Sequence, residues 1–155
     1  MPHFQKDGRA LALLWRGLGK TATELGCKNM FGSVTISDAF QPASRAVLAE
    51  HLRQEHSDRE EYRSLVRARV PFEPQSLYHP LINDAWKGEP ATALWPVVGA
   101  IERGQRTPPP LIKYYLSLGA KFIDFHVEAA FGDALYCLLR VDIEAMPERY
   151  RRRFF

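Results

Sequence analysis

Cysteine is scarce in this chain: its 155 residues include Cys27 and Cys137 alone, without the Cys-x2-Cys spacing of a zinc module or the density of a disulfide scaffold. Both read as reduced thiols of a cytosolic protein, Cys137 lying in an apolar run. The five histidines fall in no His-Glu-x2-His pattern and no Gly-x-Ser-x-Gly elbow occurs, so zincin and serine-hydrolase signatures are missing. No window approaches the ~18–20 apolar residues a membrane span needs, and the N-terminus has no stretch of signal-peptide form. Membrane contact, where it occurs, is therefore peripheral, and the location implied is the cytoplasm or the inner face of a membrane. A dominant charge is lacking too, since 21 basic and 18 acidic residues leave a formal +3 and a pI near 9.0. So mild an excess fits an ordinary solvated surface or an acidic partner, and nucleic acid is not expected.

What the chain has is the composition of one globular domain, 46% hydrophobic, 25% charged and 12% aromatic, with no low-complexity tract. Its most informative stretch is the first. Phe4-Gln5-Lys6-Asp7-Gly8-Arg9-Ala10 leads into Leu11, Leu14, Trp15 and Leu18 at i, i+3, i+4 and i+7, an amphipathic helix opened by a charged, glycine-bearing turn. The first N–H groups of a helix have no intrahelical partner and sit at the positive end of its dipole. Gly8 has no Cβ to hold a phosphate away, and Lys6 and Arg9 add cations. The turn reads as an anion cradle or, with Asp7 as an N-cap occupying one of those N–H groups, as an ordinary helix start.

Residues 5–10 also fit the pattern Gln/Arg-x-x-Gly-x-Gly/Ala with which the GNAT N-acyltransferase fold cradles the pyrophosphate and pantetheine arm of an acyl carrier. Leu13-Leu14-Trp15-Arg16-Gly17-Leu18-Gly19, Phe31-Gly32-Ser33-Val34-Thr35-Ile36-Ser37 and Pro110-Leu111-Ile112-Lys113-Tyr114-Tyr115-Leu116-Ser117-Leu118-Gly119-Ala120 follow in order. Together they resemble the GNAT-type domain of hemolysin-like and ornithine-lipid-forming acyltransferases, especially the version fused behind a lysophospholipid acyltransferase domain. The resemblance spans about residues 4–155 and is vaguest over 57–92. In that fold the cradle lies about halfway along, after several strands, whereas three residues precede it here, so the chain is similar to the C-terminal half of such a domain.

The resemblance implies an α/β fold: a partial GNAT domain with a mixed sheet, flanking helices and a late β-hairpin, forming one domain over 1–155. It implies an acyl-CoA or acyl carrier protein thioester as co-substrate, with no permanently bound cofactor and no metal. Gln5, Lys6, Gly8, Arg9, Ala10, Ser37 and Asp38 would lie on the carrier side, and residues 34–37 would run beside the pantetheine arm.

Periodicity places the elements. Residues 31–37 alternate as a half-buried strand. Pro42 suits the first turn of a helix whose inner face is Val47, Leu48, His51 and Leu52. The dense charges of 50–69, Asp58 among them, read as a solvated face, and the prolines of 70–80 as an irregular connector. A short helix is expected over 81–87, then one carrying Leu94, Trp95, Val98 and Ile101 with Pro96 in its first turn. Leu111, Tyr114, Tyr115 and Leu118 form the face of a helix capped by Gly119, and by the resemblance Tyr114, Tyr115 and Leu118 help to wall an acyl chain. Residues 122–127 and 135–141 are strands of a hairpin. The tail at 142–155 interleaves Arg149, Arg151, Arg152 and Arg153 with Tyr150, Phe154 and Phe155, which suits either an anchor on an anionic membrane or aromatics packing back on the core.

Candidate chemistry lies on the first hairpin strand, where period two puts Asp124, His126 and Glu128 on one side. They read as a general base with carboxylates, or as the wet face of an edge strand. By the resemblance, Glu128 and Asp133 are better site candidates than His126, where relatives tend to carry Asn. Asp38 stands where relatives usually have Asn, so a hydrogen-bond donor to the carrier arm is replaced by an acceptor. The helix over 45–51 lacks the Tyr that many GNAT enzymes use to protonate the leaving thiolate. His79-Pro80-Leu81-Ile82-Asn83-Asp84 matches the His-x4-Asp motif of lysophospholipid acyltransferases by spacing alone and carries no weight. The expected function is transfer of a fatty acyl group to an amine or alcohol, in membrane lipid synthesis. The alternatives are a non-catalytic remnant or binding module, and a basic peripheral membrane or nucleic-acid binder.

Overall fold

Three runs of branched and aromatic residues form the sheet: β1 (Asn29–Ile36), β2 (Lys121–Glu128) and β3 (Ala134–Asp142). They belong to a computed structural model that describes residues 8–82 and 88–155. The strand order is β1-β3-β2, and both ladders are antiparallel, with Val34 and Phe125 opposite Cys137 on its two sides. The mixed sheet expected from the sequence is thus corrected: among the described residues the one parallel pairing is an isolated bridge between Ser57 and Phe122. The β2–β3 connection is a tight hairpin, as expected, and β3 takes the centre. That position suits its residues, because Leu135, Cys137, Leu139 and Val141 are buried on one face while Arg140 is buried on the other.

The inner face carries the core. Val34, Ile36, Phe122, Phe125 and the four buried β3 residues pack on Leu48, Ala49 and Leu52 of α2 (Pro42–Glu55). An irregularity in β2 between Phe122 and Asp124 brings Phe122 and Phe125 to this side, their rings stacked 6.0 Å apart; a one-residue bulge does this by breaking the period-two alternation. α2 starts with its proline in the first turn, where the missing N–H breaks no helical bond. Its other flank, Ala46 and Val47, packs with Ile82 of α4 (His79–Ile82) and Leu94 of α5 (Ala91–Ile101). The helix expected over 81–87 is therefore seen at its start, and the remainder falls outside the described residues.

Pro96 is not in a first turn, as the sequence suggested. It is the sixth residue of α5, inside the helix, so the bond its N–H would have given to the Thr92 carbonyl is forgone. α6 (Pro110–Ser117) ends as expected, with Gly119 at φ 80° just past it. Its buried side chain is Ile112, however, while Leu111 stays half exposed. Prolines at or beside the N-cap start four of the helices without a side-chain cap.

The basic aromatic tail forms α7 (Glu148–Phe154). Phe154 is buried against Trp15 of α1 (Gly8–Glu24), ring centroids 5.9 Å apart, and Tyr150 stacks on Phe154. The aromatics that an interfacial anchor would insert into lipid face the core instead, leaving Arg151, Arg152 and Arg153 exposed. No helix among the described residues is long and apolar enough to cross a membrane.

Two buried polar groups complete the frame. Asp58, expected on a solvated face, is 5% exposed and receives a two-pronged bond from Arg140, Nε to Oδ2 at 2.7 Å and Nη2 to Oδ1 at 2.8 Å. Arg140 also donates to Asn29 Oδ1 at 2.6 Å and lies under the Tyr62 ring at 4.1 Å, Tyr62 belonging to α3 (Glu60–Arg63). At the margin of the core, the rings of buried His51 and half-buried His56 meet edge to face at 5.5 Å. Burial, with the charges of His51 and Lys121 beside it and Glu55 opposing, pulls the His56 imidazole down to about 4. An imidazole neutral in the fold but protonated in the unfolded chain makes the unfolded state bind the extra proton between pH ~6.5 and the folded value. Stability is therefore expected to fall as pH drops through that window. Urea unfolding from pH 7 to 4.5 checks this, with His56→Gln expected to flatten the slope; an unchanged slope would exclude His56 as its source.

Candidate functional site

An apolar groove opens over the inner face of the sheet, toward its β1 side. Leu14, Trp15 and Leu18 of α1 meet Met30, Phe31 and Gly32 of β1, Tyr114 and Tyr115 of α6, and Leu139 and Val141 of β3 around a space of about 300 Å3. Helical spacing puts Leu14, Trp15 and Leu18 on one face. Trp15 is buried, touching the rings of Tyr114 and Tyr115 at centroid distances of 5.7 and 6.1 Å. Burial raises the pKa of both tyrosines, that of Tyr114 with help from Tyr150. Both phenols are therefore neutral hydroxyls at pH 7, and none of the described residues lining the groove is charged.

Gly32 is what keeps this groove open. A Cβ built there would meet only the Tyr115 hydroxyl, at 4.0 Å, so a larger side chain would project into the empty space. The size is at the low end of the ~300–1,000 Å3 of small-molecule sites, and its apolar lining suits a hydrocarbon chain. Two of the helix residues expected to wall an acyl chain, Tyr114 and Tyr115, line it, whereas Leu118 is buried in the core.

The predicted carrier-side residues divide. Gln5 and Lys6 lie outside the described residues. Gly8 opens α1, whose first turn holds no acidic residue, and Arg9 and Ala10 are exposed. Ser37 and Asp38 follow β1, where the Ser37 hydroxyl donates to Asp38 Oδ1 at 3.0 Å and accepts from the Ala39 N–H at 3.1 Å. Asp38 faces the hairpin turn, its Oδ2 3.1 Å from where a Cβ on Gly132 would lie. Gly132 has φ 66° and Asp133 φ 58°, a left-handed pair that glycine accepts and aspartate tolerates. The Asp133 carbonyl accepts a bond from Arg45 of α2. Ser37, Asp38, Arg45 and Asp133 thus gather at the end of the sheet where β1 stops and the hairpin turns.

The predicted catalytic row is placed differently. Residues 66–72 run along β2, and Phe72 N donates to Phe125 O at 3.0 Å while Val127 N donates to Val70 O at 2.9 Å. Asp124 accepts from Ala68 N at 2.6 Å, and His126 Nδ1 lies 3.1 Å from Val70 N. Asp124 and His126 therefore fasten this strap to the sheet. His126 Nε2 sits 3.4 Å from Glu128 Oε2, and Glu128 accepts from Ala130 N at 3.1 Å. That backbone bond, then the imidazole, lowers the Glu128 pKa and leaves it an ionised acceptor rather than a proton donor. The structure thus joins His126 to Glu128, and Asp38 to the turn that carries Asp133.

No cluster of three His, Cys, Asp or Glu among the described residues could hold a metal ion. Cys137 is buried with its thiol pushed up to about 12 by desolvation, so it is no nucleophile. The groove is only half visible in the sequence. Tyr114 and Tyr115 read as a wall, but the part of Gly32 can be told only from what surrounds it. No protein-family model, no curated protein and no solved structure matches the chain. The class that fold and site define is thus an α/β protein with a three-stranded antiparallel sheet and an apolar groove above it.

Proposed function

We propose that this chain is part of a thioester-dependent acyltransferase of GNAT type, with the groove between α1, β1 and α6 holding the fatty chain of an acyl-CoA or acyl carrier protein. The observation that carries this reading is the uncharged groove of about 300 Å3 kept open at Gly32. The first turn of α1, which holds no acidic residue, adds to it, since the positive end of a helix dipole suits the donor's phosphates. The acceptor would be an amine or alcohol, and catalysis would come mainly from holding it against the thioester carbonyl. Ser37, Asp38, Glu128 and Asp133 are the polar groups offered for orienting it, in a reaction belonging to membrane lipid synthesis.

The test is thermal shift with acyl-CoAs of increasing chain length and with acyl carrier protein. At tenfold excess over Kd a rise of roughly 3–6 °C is expected. Gly32→Phe is expected to remove the dependence on chain length, and Gly8→Glu to remove the dependence on the phosphates. If the wild type is not stabilised by any donor, or Gly32→Phe responds as the wild type does, the groove is not the donor site.

A second reading, a binding module without chemistry, is favoured by a specific observation: Asp124, His126 and Glu128 each bond backbone N–H groups. Stabilisation by acyl-CoA with no release of free thiol across a panel of amines and alcohols would select it.

A further inference from the structure

We propose that the face of the sheet turned away from the groove carries a second binding site, a cleft for a small apolar acid: an aromatic or aliphatic body bearing one anionic group. The cleft, of about 250 Å3, lies between the strap at 66–69 and the outer face of the sheet. Its floor is a row across three strands, in which Ser33 of β1 and Asp124 of β2 both stand opposite Leu138 of β3. Tyr136 lines it as well, its ring 6.3 Å from that of Phe131.

A sheet face turned to water is normally polar. Here the central strand offers Tyr136 and Leu138, both half-buried, and the strap adds Val66. The polar groups of the floor are already engaged. Asp124 accepts from Ala68 N through Oδ2 at 2.6 Å and from Phe125 N through Oδ1 at 2.8 Å, while His126 meets Val70 through Nδ1 and Glu128 through Nε2. These bonds shape the cleft in advance and leave a ligand little to pair with. A sugar or a nucleobase, whose several donors and acceptors each lose a water, is therefore poorly served.

What remains is apolar contact and positive charge. Residues 62–72 hold Arg63, Arg67 and Arg69 and no acid. Arg63 pairs with Glu60. Arg67 and Arg69, both exposed, line the cleft, and Arg67 has no hydrogen-bond or ion-pair partner among the described residues, whereas Arg69 also feels the Glu128 carboxylate. An acid whose body rests on Leu138, Tyr136 and Val66 sets its anionic group beside these guanidinium groups. The volume, below the ~300 Å3 at which ordinary small-molecule sites begin, keeps that body small. The site is independent of the donor reading, because neighbouring residues of a strand point to opposite faces. Bulk at Gly32 enters the groove, and bulk at Ser33 enters the cleft.

Titrating the 15N-labelled chain with 2-naphthoate and with octanoate, followed by amide shifts, tests the proposal and tells a ring from a chain. The better of the two is expected to move Ser33, Ala68 and Leu138 with a Kd on the order of 1 mM or tighter. The double variant Arg67→Gln, Arg69→Gln is expected to bind it about fivefold more weakly, and the wild type to discriminate by the same factor against the matching alcohol, 2-naphthalenemethanol or octanol. Ser33→Phe, with unchanged circular dichroism, should abolish the shifts, and Gly32→Phe should leave them as they are. Absence of these shifts with both acids at concentrations on the order of 10 mM overturns the proposal. Shifts confined to Trp15, Gly32 and Tyr115 overturn it too, by putting the acid in the groove, as does equal binding of acid and alcohol, which leaves the arginines no part.

Discussion

Replacing Asp58 with alanine is expected to cost about 3–5 kcal/mol of stability, because it strands a buried guanidinium. Arg140 is 4% exposed, with Asp58 as its two-pronged partner, and Asn29 and a longer 3.3 Å contact to Asp142 would remain. Burial alone would raise the Asp58 carboxyl, but the bonds and charges of Arg140 and Arg59 outweigh it and the net shift is downward. A carboxyl depressed in the fold contributes stability that is complete above its unfolded value of ~3.9 and is lost as pH falls through the folded one. The wild type should therefore show an acid limb below the histidine window that Asp58→Ala lacks. Since desolvating an ion pair offsets much of its attraction, the double variant Asp58→Leu, Arg140→Met should regain most of the loss. Urea unfolding of the two variants decides it: a loss under 1 kcal/mol for Asp58→Ala would show that the pair does not hold α3 and the 57–59 segment to the sheet.

Gly17→Ala and Gly19→Ala are expected to shift stability in opposite directions. In an exposed helix interior alanine is favoured over glycine by ~1 kcal/mol. Gly17, with nothing within 4 Å of an added Cβ, should show that gain. At Gly19 the same Cβ would lie 1.8 Å from the Phe154 carbonyl oxygen and 2.6 Å from its carbon. Backbone cannot rotate aside as a side chain can, so α7 must move off α1 and Phe154 must leave Trp15. Uncovering a buried phenylalanine costs roughly 1.5–3 kcal/mol, more than the helix gains. Thermal unfolding and amide exchange in α7 check this. Equal, stabilising shifts for both variants would mean that α7 does not dock on α1 as described.

The residues explain why some of this can be read directly and some cannot. Alternation along 31–36 and 135–141 and the proline at 42 are local signals, and their elements lie within a residue or two of the expected places. Asp58 escapes such a reading, because among Glu55, Arg59, Glu60 and Glu61 it looks like one more surface charge; only its contact with Arg140, 82 positions along, takes it inside. Pro96 escapes it for a similar reason. Local cost argues against an interior proline, yet packing of Leu94 and Val98 on the core holds α5 through it.

The candidate site divides along the same line. Periodicity, caps and turn residues determine which segments are helix or strand and which faces are apolar, since those depend on neighbours three or four positions away. Whether an apolar face becomes core, like Ile112, or the wall of a groove, like Tyr115, depends on what the chain brings opposite it from far away. So does the fate of a polar row: His126 faces a strap 56 residues distant in sequence, a contact no local pattern encodes. Strand order is decided the same way, because β3 is central only through its long-range pairing with β1, and that pairing leaves β1 at the edge.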